Sequence, residues 1–272
     1  MSLPRPEPAR PFFLQRGSRQ LFCLHHAPVV AMRGAVVHVP AFAEEMNKSR
    51  RMVSLQSRAL AAVGWHVLQL DLLGTGDSEG DFGDATWADW LDDVAEARRW
   101  LAAAAGHEPW LWGLRLGALL ASASLASKDA PGLLLWQPVL SGKQHLQQFL
   151  RVKAGAEWLA AGRETEGQAK PMDQLAAGHS VEVAGYALNP ALALPMAAAT
   201  LTLPANLARL AWFEVSPRAD ATLAPASDRV LAPLRDAGRL TAAVVQGSSF
   251  WQALEIETVP ALVEAGVQAL ST

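Results

Sequence analysis

The chain has 272 residues, is 51% hydrophobic and 18% charged, and carries a net charge of -3. That is enough apolar material for one large α/β domain or two small ones, and too much for a disordered chain. The balance of charge gives no basic face for nucleic acid, and the single cysteine, Cys23, excludes an intrachain disulfide and a cysteine-built metal site.

Met1 to Arg10 is polar and proline-rich, without an apolar signal core. No run of about 18 apolar residues follows, so no membrane span is expected and a reducing, cytoplasmic setting is the default. Phe12–Leu14 and Gln20–His25 read as two antiparallel strands around the turn Arg16-Gly17-Ser18-Arg19. Ala35-Val36-Val37-His38-Val39 reads as a buried strand. After a loop, Asn47 is placed to cap a helix running to about Val63, with Met52, Leu55, Ala59, Leu60 and Val63 on one face.

Trp65–Leu70 is the next strand, followed by the glycine-punctuated loop Asp71-Leu72-Leu73-Gly74-Thr75-Gly76-Asp77-Ser78. Thr86 with Asp89 resembles a capping box, opening a helix with Trp87, Trp90, Leu91, Val94 and Leu101 on one side. Then comes Trp110-Leu111-Trp112-Gly113-Leu114-Arg115-Leu116-Gly117, an apolar strand turning into an apolar helix. Glycines two before and two after a central residue have the shape of a nucleophile elbow, where strand and helix approach too closely for side chains. The central residue is thrust onto a strained tip above the sheet. Here it is Arg115, whose guanidinium stays protonated and cannot attack.

Gly132–Val139 is a further buried strand, and the alternation over Ala35 to Val139 argues for a parallel sheet with right-handed crossovers. Residues 141 to about 205 break the pattern and are expected to form a cap or lid, with one clear helix near Leu146–Ala160. Its Leu146, Phe149, Leu150 and Trp158 fall at helical spacing and are its expected seat. Strands follow at Leu207–Val215 and Leu240–Gln246, and a last helix from about Val259 to Leu270. The domain reading is therefore a core of 1–140 and 206–272 with a cap of 141–205.

This order of elements resembles the α/β-hydrolase fold: a mostly parallel sheet, an antiparallel N-terminal edge and a helical cap insertion. Asp71 to Ser78 resembles the Asp-x-x-Gly-x-Gly-x-Ser loop of that fold, in the same place. Four stretches carry a narrower likeness. They are His38-Val39-Pro40-Ala41-Phe42-Ala43-Glu44-Glu45-Met46-Asn47-Lys48-Ser49-Arg50-Arg51-Met52, Gly76 to Phe82, Trp112 to Arg115, and Phe250-Trp251 with Glu255-Ile256. Together they resemble the second of the two hydrolases named with the exosortase A system, found in Gram-negative bacteria that sort tagged proteins and make exopolysaccharide. The likeness implies a hydrolase by fold and says little about chemistry.

A triad on this fold runs nucleophile, acid, histidine. Arg115 fills the first slot, Asp220 is the nearest acid with Asp228 behind it, and Phe250 stands where the base belongs. The last histidine in the chain is His179, so the Ser-His pair is absent by type. Ser122 and Ser124 lie too far along the helix to substitute, Ser78 is expected to bond backbone, and Cys23 to be inert core. His38 is expected to be a satisfied core histidine, and His25 and His26 point to opposite faces of an edge strand. Asp71, Asp77 and Asp81 are expected to cap their loop rather than hold a cation. Neither metal nor cofactor is expected.

Two readings of Arg115 stand side by side. It pairs with Glu44, Glu45 or Glu255 as a structural ion pair, or it helps a helix N-terminus hold a ligand's carboxylate or phosphate. The candidate pocket is Arg115, Leu114, Leu116, Phe42, Glu44, Glu45, Asn47, Phe250, Trp251 and Glu255. Phe250-Trp251 is either a stacking platform or a plug, and Lys48, Arg50 and Arg51 are expected to be a solvated face. The expected partner is a small anionic or sugar-like molecule or a pathway protein. A hydrolase with unconventional machinery and a non-catalytic scaffold are the alternatives.

Overall fold

The computed structural model describes residues 8–125, 131–161 and 170–271, and for residues 152–161 and 236–237 the backbone only. Eight strands form one sheet in the order β1-β2-β4-β3-β5-β6-β9-β10. The strands β1 (Arg10–Arg16) and β2 (Arg19–His26) form a hairpin, and β2 runs antiparallel to β4 (Trp65–Leu70). The rest is parallel: β3 (Gly34–Val39), β5 (Trp110–Leu114), β6 (Leu133–Trp136), β9 (Leu210–Ser216) and β10 (Leu240–Gln246). The sheet is therefore mostly parallel with an antiparallel N-terminal edge, as expected.

Helices cover both faces, which is why β3, β5 and β6 are buried along their whole length. The helices α1 (Glu44–Ala62) and α8 (Pro260–Ser271) pack on one face through Met52, Val53, Leu60, Leu262 and Leu270. The other face is covered by α2 (Trp87–Ala105) and α3 (Leu116–Leu125), through Trp90, Val94, Leu101, Leu119 and Leu120. Thr86 caps α2 by accepting from the Asp89 N–H at 3.0 Å. Asn47 does not cap α1: the helix starts at Glu44, because Ala43 breaks the chain with φ 50 and ψ -128 four residues before the expected cap at Asn47.

Between β6 and β9 the chain forms α4 (Gly142–Ala161), α5 (Pro171–Ala176), the hairpin β7–β8 (Val181–Val183, Tyr186–Leu188) and α6 (Pro190–Ala198). Only α4 is legible in the sequence. The insertion begins and ends at one place: Ser141 bridges Thr200, and Leu201 N–H donates to the Leu140 carbonyl at 2.9 Å. Leu146 and Leu150 of α4 are buried in the core shared with α2 and α3, while Phe149 is half-buried. The side chain of Trp158 lies outside the described residues, as do Met1 to Glu7 of the polar N-terminal stretch. A helix, α7 (Pro225–Leu231), not expected from the sequence, follows β9. Among the described residues no helix is long and apolar enough to cross a membrane.

Candidate functional site

The turn from β5 into α3 has the elbow geometry. Arg115 lies in the left-handed region with φ 54, a conformation an L side chain adopts only at a cost. Both glycines are forced. A Cβ on Gly113 would stand 2.6 Å from the Ala118 Cα, and one on Gly117 would stand 2.3 Å from the Val39 carbonyl oxygen. The same close approach brings the end of β3, and so the start of α1, against the tip.

That proximity settles the partner of Arg115. Its Nε donates to both carboxylate oxygens of Glu45, at 3.2 and 3.3 Å, and its Nη2 donates to Oε1 at 3.1 Å. The two side chains keep only 12% and 16% exposure, so the pair is largely withdrawn from water. The guanidinium also lies over the Trp251 ring, 5.4 Å from its centroid, and Gln252 reaches Glu45 Oε1 at 3.5 Å. Burial pushes the Glu45 carboxyl above its ordinary range, and the Arg115 charge opposes that rise. Glu255 is exposed on the loop beyond, and Glu44 instead accepts from Asn47 at 3.1 Å and Tyr186 at 3.2 Å. Glu45 is thus the partner, and the guanidinium is engaged.

The pair does not fill the space above the tip. A cavity of about 470 Å³ beside it is lined by Phe42, Glu44, Glu45, Lys48 and Trp251, together with His145, Gln148, Phe149, Tyr186 and Gln252. Such a volume falls in the range of about 300–1,000 Å³ typical of small-molecule sites. A second cavity of about 390 Å³ is lined by Arg115 itself with Gln137, Ser141, Gln144, Glu214 and Ser227, and again by His145 and Gln148.

Several expected members are elsewhere. Leu114 and Leu116 flank the tip but turn into the cores on opposite faces of the sheet, since only the residue between them stands on the turn. Phe250 is 1% exposed, packed edge-on between Trp136 and Trp251, so it is a plug and not a platform. Asp220 is exposed and paired with Arg218 at 2.9 Å, and exposed Asp228 pairs with Arg235. Asn47 sits at the rim, donating to Glu44 and to the Tyr186 hydroxyl.

Two residues go unmarked in the sequence. Glu214 interrupts the apolar strand β9 and is buried. It accepts from the Trp212 indole at 3.3 Å and the Ala224 N–H at 3.0 Å, and it lines the second cavity. A carboxylate inside an apolar strand was the available signal. The other is His145, which the fold-back of α4 carries to the elbow. Sequence order points to a histidine only after β10 and does not single out His145, and nothing local in the sequence marks it. His145 is 6% exposed, and neither ring nitrogen has a hydrogen-bond partner among the described residues.

Burial, reinforced by the Arg115 charge, lowers the His145 pKa to about 3. A general base works best with a pKa near the operating pH, so this imidazole is a weak one. Its folded value lies below the unfolded 6.5, so the unfolded chain binds a proton between them that the folded chain does not. Stability therefore falls as pH drops through that window. His145→Leu should flatten the slope of unfolding free energy against pH by up to about 1.4 kcal/mol per pH unit near pH 5. Urea denaturation between about pH 7.5 and pH 5 measures it, and an unchanged slope would mean that His145 is solvated.

The remaining polar groups act as expected or nearly so. Ser78 donates to the Asp71 carbonyl and accepts from Phe22 N–H, and Asp71 caps the loop by accepting from Asp77 N–H at 3.1 Å and pairing with Arg50. That pairing takes Arg50 out of the purely solvated face. Cys23 is buried and its thiol is pushed up to about 12, chiefly by burial. His38 is buried against Trp112, but its Nε2 has no partner among the described residues, so it is core without being satisfied. His25 stacks on His66, with 3.0 Å between ring nitrogens, while His26 meets Gln69 at 2.9 Å.

No protein-family model matches the chain, and a comparison with curated proteins finds no match. Solved structures do match over nearly the whole length. Est1E from Butyrivibrio proteoclasticus with bound ferulic acid superposes with a TM-score of 0.64 at 14% identity, covering 96% of this chain and 100% of that one. An alpha-beta serine hydrolase homologue from Coxiella burnetii gives 0.58 at 13% identity, covering 97% of each. A thermostable carboxyl esterase from Bacillus coagulans, in complex with glycerol, gives 0.57 at 15% identity, covering 89% of this chain and 91% of that one. The chain has the α/β-hydrolase fold.

Proposed function

We propose that this chain is a non-catalytic α/β-hydrolase-fold protein that binds a small anionic or sugar-like molecule in the cavity beside the elbow. One observation carries the reading: the residue on the tip is Arg115, engaged by Glu45, with a cavity of ligand size next to it. Nucleophilic catalysis from the tip needs a hydroxyl, thiol or carboxylate there, and a permanently charged guanidinium is none of these. The pocket residues of this reading are Arg115, Phe42, Glu44, Glu45, Asn47 and Trp251, joined by His145 and Tyr186. The likeness of His38–Met52 and Phe250–Ile256 to the exosortase A-associated hydrolases supports a ligand or partner drawn from exosortase or exopolysaccharide systems, and a cytoplasmic setting goes with that proposal.

A hydrolase with unconventional machinery is the second reading, favoured by His145 at the elbow. Its low pKa and its lack of a hydroxyl partner weigh against it. The test is a serine-directed fluorophosphonate probe with a panel of ester and thioester substrates. The expected result is no labelling and no turnover above buffer. Stoichiometric labelling of any serine would overturn the reading.

A further inference from the structure

His145 is the feature that the fold itself does not explain. The imidazole is 6% exposed, lines both cavities, and leaves Nδ1 and Nε2 without partners among the described residues. Buried polar side chains in native proteins are nearly always hydrogen-bonded, so an orphaned ring facing a cavity points to a group that enters the cavity. A neutral imidazole offers one donor and one acceptor. A hydroxyl, itself both donor and acceptor, matches either nitrogen.

The charges select against an anion. Glu44, Glu45 and Glu214 line the two cavities against the cations Lys48 and Arg115, and Arg115 is already engaged by Glu45. In the cavity with Tyr186 and Trp251, Arg115 neutralises Glu45 and Glu44 offsets Lys48, so a carboxylate or phosphate would find no net positive charge. The other walls suit a molecule with apolar faces and polar edges. Phe149, Tyr186 and Trp251 present aromatic surface, while the amides of Gln148 and Gln252 stand beside them. Aromatic faces with amide and carboxylate edges match a ring whose C–H faces and hydroxyl rim point in different directions.

We propose that this site takes an uncharged, hydroxyl-bearing ligand of the sugar class, hydrogen-bonded by His145 and stacked against Tyr186 and Trp251. The proposal rests on the ligand-binding reading and narrows it to one chemical class. Glu45, held by Arg115, forms the polar floor, its carboxylate accepting from the ligand's hydroxyls.

Saturation-transfer NMR and calorimetry on the full chain test it. The probes are methyl glucoside, N-acetylglucosamine and lactose, against glucuronate and benzoate at equal concentration. Binding is expected for at least one neutral sugar, at least tenfold weaker in His145→Leu and partly restored in His145→Gln. Tyr186→Ala should weaken it several-fold. The melting temperature of His145→Leu should equal or exceed that of the wild type, because the substitution removes two unsatisfied polar atoms, and this separates lost binding from lost folding. Binding of glucuronate or benzoate without any neutral sugar would overturn this proposal and leave the ligand-binding reading standing. Sugar binding unchanged in His145→Leu would remove His145 from the site. Failure of every probe would also overturn the proposal, and turnover of the ester panel would then bring down the ligand-binding reading with it.

Discussion

Arg115→Ala should destabilise the protein by about 3 kcal/mol. That is the lower end of the range for removing one partner of a buried ion pair, since each side chain keeps a small exposed fraction. The loss comes mainly from what is left behind. Glu45, already held above its ordinary carboxylate range by burial, would lose the charge that opposes that rise. Alanine is the right replacement because it keeps the cost of the left-handed backbone, whereas glycine would relieve it and mask the effect. The double variant Arg115→Ala with Glu45→Ala should lose much less than the sum of the two single variants. The single variant should also be least impaired in acid: a carboxyl with a raised folded pKa gives up stability as pH rises through it. Chemical denaturation of the four proteins at two pH values measures all of this. A loss of less than about 0.5 kcal/mol would mean that the pair behaves like an exposed one.

Phe250→Ala should cost about 3–5 kcal/mol, as expected for a buried aromatic whose cavity cannot collapse. Its ring is wedged between Trp136 and Trp251, with centroids 6.3 and 5.1 Å away, and Trp136 is itself fully buried. Relaxation would have to move two indoles, one of which carries Arg115 on its face. A loss below about 1 kcal/mol would return Phe250 to the role of an exposed platform. The contribution of the Phe250 ring is packing.

The sheet and the elbow were legible because their signals are local and steric. Gly113 and Gly117 answer clashes of a single turn, and the strands at Ala35, Trp110 and Gly132 are, apart from His38, continuous apolar runs of the kind a doubly covered parallel sheet requires. The insertion was legible only at α4. Strands β7 and β8 span three residues each, too few for alternation to show, and α6 is apolar all round with Pro195 inside it. Sequence order points to the loop after β9 and so to Asp220, whereas the buried carboxylate is Glu214, inside the strand. His145 is illegible for a different reason. Its place at the elbow depends on α4 folding back across the tip, a long-range packing outcome that no window of residues encodes.

The meeting of Ser141 with Thr200, sealed by Leu140 and Leu201, has a consequence for how the chain can be cut and joined. The stretch between these points is hung on the sheet like a purse on its drawstring. A short linker could tie 141 to 200 without stretching the strands on either side, and closing a shorter loop saves only a modest entropy. The surface so uncovered would include the Leu119 and Leu120 side of α3, which now shares its core with Leu146 and Leu192. A shortened chain would keep its sheet and lose its solubility before its fold, until those leucines were traded for polar residues.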